Sequence, residues 1–304
     1  MKNYPAKLLL FGEHTVNLGS QALAVPLPLF SSKWEFALQL SPAELAARQM
    51  QLPQLADYLD RLQQRGELLA QLDVAGFRQA LVEGLVFESN IPTGYGVGSS
   101  GALVAAVFDS WQLAVGSWQS DLIQLKKALA QMEAFFHGTS SGADPLVCFL
   151  QKTVLLGGVA GAKIVELPND PVTHQIFLLD TGIQRQATPF IEYFLGEMKN
   201  EAFAERCRTE LLPLVEVAIA AFLVGNGRLV FEEMHRIGSF QLRFLERLIP
   251  QKLQPVWQQG LDSQVFKLKV CGAGGGGFLL GITPDFEATK LALPKHKLLP
   301  VIKV

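Results

Sequence analysis

Along the first forty positions, apolar residues come in short runs separated by turn-formers: Lys7–Phe11, Ala22–Leu27, then Trp34–Leu40 after Ser31-Ser32. Runs of this length predict strands of an antiparallel or mixed sheet. The period changes at Ser41. Ser41-Pro42-Ala43-Glu44 has the form of a helix N-cap followed by proline at the first helical position and glutamate at the third. Leu52, Leu55, Leu59 and Leu62 then recur three to four apart, as an amphipathic helix requires, so the glutamine-rich stretch 49–71 reads as a solvated helix face. Leu85–Glu88 predicts a strand. A glycine-rich turn, Ile91–Gly101, precedes an apolar helix over 102–114, and a second helix spans 121–136, stopped by His137-Gly138. Further strands are expected at Thr153–Leu156 and Lys163–Leu167. Asn169-Asp170-Pro171 is short, polar and proline-containing, and marks the expected boundary between domains 1–171 and 172–304. Beyond it come a strand (Gln175–Leu179), helices near 189–199, 202–224, 229–248 and 250–259, and strands Phe266–Val270 and Phe278–Ile282 around Gly272–Gly277. Strands and helices grouped in this way, rather than alternating, predict an α+β layout in each half.

Composition agrees with a large buried core: 49% of the 304 residues are hydrophobic and 18% charged, with mean hydropathy +0.24. The net charge of −2 provides no global attraction to nucleic acid or anionic lipid, so neither is an expected partner. Three scattered cysteines form no CxxC spacing and no disulfide framework, which points to a reducing cytoplasm. The apolar run Leu8–Phe11 is too short for a signal peptide, and Val217–Val224 falls far below the roughly 18 residues of a membrane span. The tail lysines Lys295, Lys297 and Lys303 read as a solvated end.

Three glycine-bearing segments could carry chemistry. In Pro92-Thr93-Gly94-Tyr95-Gly96-Val97-Gly98-Ser99-Ser100-Gly101, glycines allow backbone N–H groups to curl around an anion, and the following helix aims its positive end at the same place. The bland alternative is a turn with Ser99 or Ser100 as a plain N-cap. A Walker motif is absent, and the G-x-G-x-x-G match lacks the second strand that a dinucleotide fold needs. In Glu133-Ala134-Phe135-Phe136-His137-Gly138-Thr139-Ser140-Ser141-Gly142-Ala143-Asp144-Pro145, Glu133 and His137 share a helix face and are either a metal pair or a surface capping pair. By spacing alone, Asp144 fits an N-cap better than a base. Four consecutive glycines in Cys271-Gly272-Ala273-Gly274-Gly275-Gly276-Gly277 favour close backbone approach to a ligand over a plain hairpin turn, and Cys271 reads as a small buried residue.

Together with the opening Pro5-Ala6-Lys7-Leu8-Leu9-Leu10-Phe11-Gly12-Glu13-His14, these segments in this order resemble the GHMP kinase superfamily, most closely its mevalonate kinase branch. Residues 92–102 resemble the phosphate-loop pattern P-x-x-x-G-L-G-S-S-A, and residues 137–144 resemble H-G-x-x-S-G-x-D. The resemblance implies two α+β domains, the N-terminal one ATP-binding and like ribosomal protein S5 domain 2, the C-terminal one ferredoxin-like. It implies that Asp144 takes the proton from the substrate hydroxyl with Lys7 beside it, and that Ser100 and Glu133 hold Mg²⁺. Gly94, Tyr95, Gly96, Val97, Gly98, Ser99 and Ser100 would wrap the ATP phosphates. Glu13, His14, Arg185, Gly274 and Gly275 would meet the substrate, whose carboxylate would need a cation from His14, Arg185 or Lys7. Departures include Gly101 for alanine, Val97 for leucine and Ala6 for glycine; none removes a functional group. The expected activity is ATP- and Mg²⁺-dependent phosphorylation of mevalonate in isoprenoid biosynthesis. Alternatives are a kinase for a sugar or phosphomevalonate, or a non-catalytic nucleotide-binding homologue. A homodimer is left open as the assembly.

Overall fold

The computed structural model describes residues 2–113, 121–158, 161–168 and 173–304. The expected boundary at Asn169-Asp170-Pro171 lies outside them. The chain forms two compact units, each drawn from several segments: Met1–Leu8, Val25–Pro92 and Val97–Lys152 in the first, and Leu9–Ala24, Thr93–Gly96 and Thr153–Val304 in the second.

Strands β1 (Asn3–Phe11) and β2 (Ala22–Phe36) open the chain and lie side by side. The expected break at Ser31-Ser32 does not occur. Ser32 Oγ donates to the Tyr4 carbonyl at 3.2 Å and the Ser31 N–H donates to Asn90 Oδ1 at 2.7 Å, so both serines are accommodated within the strand. In the first unit, β2 pairs antiparallel with β3 (Leu85–Ser89), from Phe36 opposite Leu85 to Ser32 opposite Ser89. Between them run α1 (Pro42–Gln49), α2 (Leu52–Gln64) and α3 (Val74–Val82). Ser41 caps α1 through the expected capping box with Glu44. Leu52, Leu55, Ala56 and Leu59 form the buried stripe of α2.

Three helices complete this unit: α4 (Ser99–Trp111), α5 (Leu122–His137) and α6 (Ala143–Leu150). Asp121 caps α5 by accepting from the N–H groups of Ile123 and Gln124. The helices pack on one another through Ala102, Val104–Phe108, Leu129, Met132 and Leu146–Cys148, all fully buried. Trp34, Phe77, Phe87 and Trp111 form a second cluster, with ring centroids 4.6–6.1 Å apart.

In the second unit, Ala22–Ala24 of β2 pairs antiparallel with β4 (Val154–Leu156), which pairs with β5 (Ala162–Ile164). A separate antiparallel sheet contains β6 (Gln175–Asp180), β7 (Lys267–Val270), β8 (Phe278–Thr283) and β9 (Leu298–Lys303) in the order β7-β8-β6-β9. The succession from β6 through α7 (Thr188–Glu197), α8 (Glu201–Arg206), α9 (Leu212–Leu223), α10 (Gly227–Phe244) and α11 (Gln254–Asp262) to β7, β8, α12 (Phe286–Ala292) and β9 has the ferredoxin-like strand order. Helix α12 and strand β9 are absent from the sequence reading. The tail is a sheet strand rather than a solvated end: Lys303 stands opposite Gln175, and Pro300 is tolerated because β9 is an edge strand with a register shift beside it. Lys267, nearly fully buried, donates to the carbonyls of Gly260, Leu261 and Ser263 and so satisfies the end of α11.

Candidate active site

The first unit gathers Lys7, Gly98, Ser100, Glu133 and Asp144 from four separate elements. Lys7 projects from β1, and its backbone N–H donates to the Val97 carbonyl at 2.9 Å, tying that strand to the glycine loop. Its ammonium lies 2.8 Å from Asp144 Oδ1; the lysine side chain is 7% exposed and the aspartate 34%. The N-cap of α6 is Gly142 at φ 71°, which places Asp144 inside the first turn rather than at the cap that spacing favoured. A carboxylate there lies in the positive field of the helix end. A Cβ on Gly142 would fall 2.1 Å from the Lys126 carbonyl oxygen, so this tight entry into α6 needs glycine.

Gly98, at φ 80°, is the N-cap of α4, and no side chain caps that helix. Its first N–H groups are therefore of the kind that binds anions. A Cβ on Gly98 would sit 2.8 Å from Lys7 Cγ. One turn on, a Cβ on Gly101 would lie 2.8–2.9 Å from the Asp144 carbonyl carbon and Cβ, which explains glycine in place of the family's alanine: α4 and α6 approach too closely here for a methyl group. Val97 is buried, and Ser99 begins α4.

Ser100 Oγ donates to Glu133 Oε1 at 3.0 Å and lies 3.1 Å from His137 Nε2. Glu133 is 4% exposed, so it is no surface capping residue. Burial, followed by the nearby Asp144 charge, pushes its carboxyl up to about 7, against the pull of the Ser140 and Ser100 hydroxyls and Lys7. No group of three or more His, Cys, Asp or Glu side chains with metal-site geometry occurs among the described residues. The donor set of one buried carboxylate and one hydroxyl nevertheless fits a hard divalent cation, which takes oxygen ligands and keeps positions for phosphate and water. A carboxylate whose charge is disfavoured by its surroundings is also one that a cation relieves.

The remaining candidates lie in the second unit. Glu13 pairs with Lys269 Nζ at 2.5 Å, both almost fully buried. His14 stacks on Phe194 at 4.8 Å, and its buried Nε2 has no hydrogen-bond partner. Burial, aided by Lys269, lowers its pKa to about 3, so the neutral imidazole is favoured in these surroundings. The Arg185 N–H donates to the Gly94 carbonyl at 3.2 Å, and its guanidinium packs so close to Gly96 that a Cβ there would be 2.7 Å from Nη2. Tyr95 stacks on Phe278 at 4.9 Å.

The third glycine segment connects β7 to β8, and the Cβ positions of its glycines are crowded by side-chain and backbone atoms of the same unit. Gly274 abuts Leu248, Gly275 abuts the Phe190 ring, and Gly277 abuts the Tyr95 backbone. Two polar residues escaped the sequence reading. Lys269 sits in the alternation Lys267-Leu268-Lys269-Val270, and both lysines are buried. Ser140 donates to Glu133 Oε2 at 2.5 Å and was hidden in a run of small polar residues.

Comparison with known proteins adds four findings. Residues 57–152 match the family model of the GHMP kinases N terminal domain. Mevalonate kinase of Schizosaccharomyces pombe is 30% identical over 365 residues, covering 97% of this chain and 86% of the relative. Among solved structures, L. major mevalonate kinase in complex with R-mevalonate superposes with a TM-score of 0.65 at 15% identity, covering 100% of this chain and 96% of that one. Streptococcus pneumoniae phosphomevalonate kinase in complex with phosphomevalonate and AMPPNP superposes with 0.64 at 16%, covering 100% and 99%.

Proposed function

Since this chain belongs to the GHMP kinase family, whose members are ATP-dependent phosphotransferases, we propose that it transfers the γ-phosphoryl group of ATP to the primary hydroxyl of mevalonate. The observation that carries the reading is the 2.8 Å Lys7–Asp144 pair, held in the same unit as the uncapped start of α4 and the Ser100–Glu133 pair. Phosphoryl transfer demands positioning and charge neutralisation more than covalent chemistry. Asp144 accepts the hydroxyl proton as the oxygen attacks phosphorus; such a base contributes about 10²–10⁴ in rate. Lys7 stabilises the negative charge that develops on the attacking oxygen, worth roughly 4 kcal/mol at 4 Å and an effective dielectric of 20, before desolvation. The backbone N–H groups of Ser99 and Ser100 receive phosphate oxygens at the helix end. Ser100 and Glu133 would hold Mg²⁺, which supplies neutralisation of the phosphate charge.

The choice of mevalonate rests on the Schizosaccharomyces pombe relative; likeness of fold alone extends equally to phosphomevalonate kinase. The cytoplasm is the compartment in which we place the reaction, in keeping with three buried cysteines outside any disulfide. An ADP-release assay with mevalonate, phosphomevalonate and galactose tests the reading, with Asp144→Asn as control. Turnover with mevalonate that falls at least about 100-fold in the variant, while ATP binding persists, is expected. No turnover with any of the three alcohols, or an unimpaired variant, refutes the mechanism, and turnover confined to galactose or phosphomevalonate refutes the substrate.

A further inference from the structure

We propose that Ser140 is a positioning residue that sets the Glu133 carboxylate for a divalent cation and couples it to the helix carrying Asp144. This rests on the cation-dependent kinase reading above. Ser140 Oγ accepts the Gly142 N–H at 2.9 Å. Its single proton is therefore free for one acceptor, and that acceptor is Glu133 Oε2 at 2.5 Å. The carboxylate is gripped by its far oxygen, and Oε1, with the Ser100 hydroxyl 3.0 Å away, remains as the pair open to a cation.

Gly142 is the N-cap of α6 and Asp144 its second residue. One hydroxyl thus joins the proposed cation ligand to the turn that carries the proposed base, so the two cannot shift independently. His137 Nε2, 3.1 Å from Ser100 Oγ, lies at the opposite end of the same chain of hydrogen bonds. The pattern H-G-x-x-S-G-x-D places its serine at Ser141 and leaves position 140 open. Ser141 instead accepts from the Ala143 N–H at 3.3 Å, within its own turn. Partners behind a metal ligand typically set metal affinity by about 10–100-fold, because they fix ligand orientation.

The test is Mn²⁺ binding, followed by electron paramagnetic resonance, to the full chain saturated with a non-hydrolysable ATP analogue. Ser140→Ala is expected to weaken Mn²⁺ binding about 10-fold or more while metal-free nucleotide affinity holds, and Ser140→Thr, which keeps the hydroxyl, is expected to restore it. Turnover of Ser140→Ala should recover towards wild type as Mg²⁺ is raised, a pattern that mere loss of a turn would not produce. Mn²⁺ affinity of Ser140→Ala within about twofold of wild type overturns the proposal. If that variant does not fold, Ser140→Cys, similar in size with a weak donor, must show the same loss. Wild-type protein that neither binds Mn²⁺ with nucleotide nor phosphorylates any alcohol sinks the kinase reading as well. Normal wild-type binding with an unmoved variant sinks the role of Ser140 alone.

Discussion

Lys269→Met isolates the energetics of the buried pair that holds the loop after β1. The Lys269 side chain is 1% exposed and Glu13 5%, at 2.5 Å. At an effective dielectric of 20, Coulomb attraction at that separation is about 6–7 kcal/mol, and desolvating two ions costs several kcal/mol each. The pair as a whole therefore contributes little net stability. Removing only the ammonium is a different matter: the attraction disappears while the buried carboxylate keeps its desolvation cost, a loss of about 3–5 kcal/mol. Replacing both charges, as in Glu13→Leu/Lys269→Met, removes that cost and should bring stability back to within about 1–2 kcal/mol of wild type. Urea unfolding of the two single variants and the double variant closes the cycle, and the expected coupling is at least about 2 kcal/mol. Additive single effects, or a Lys269→Met cost below about 1 kcal/mol, would show that the pair is solvated and that this reasoning is wrong.

Three further outcomes follow from the same geometry. His14 has a folded pKa of about 3 against an ordinary 6.5, so the folded chain holds fewer protons than the unfolded one between those values. Stability from this group is complete above pH 6.5 and is lost as pH falls towards 3, by about 4–5 kcal/mol in all; NMR of the ring should show no protonation above about pH 4, and an ordinary titration near 6.5 would contradict the burial argument. Gly101→Ala puts a methyl group 2.8–2.9 Å from Asp144 and should cost about 1–3 kcal/mol in thermal unfolding and lower kcat; a variant as stable and active as wild type would mean that α4 and α6 yield freely. Lys7→Met should reduce kcat far more than ATP affinity in steady-state and binding assays, and equal losses in both would assign Lys7 to nucleotide binding rather than to the reacting oxygen.

Local chemistry was legible in the sequence wherever neighbours decide it. Ser41 with Glu44 read correctly as a capping box, and the helix start at Asp121 was placed to within one residue, because a cap bonds to N–H groups two or three residues away. The pattern failed where a distant strand supplies the partner. Ser31-Ser32 read as a break, yet Tyr4 and Asn90 satisfy these serines within a continuous strand. The final residues read as a free end, yet β6 pairs with them. Nothing local marks Lys267 and Lys269 as buried; three carbonyls at a helix end and one carboxylate permit their burial.

By itself the sequence determined the types of most elements, the α+β class and the identity of most groups able to do chemistry, because hydrophobic period, glycine content and functional groups belong to the chain. Only the tertiary structure decided that Lys7 meets Asp144 across 137 positions, that Glu133 is buried with two hydroxyls on it, and that His14 is buried where the charged imidazole is disfavoured. Distance, burial and charge environment arise from segments remote in sequence packing together, and these quantities turn a list of polar residues into a site.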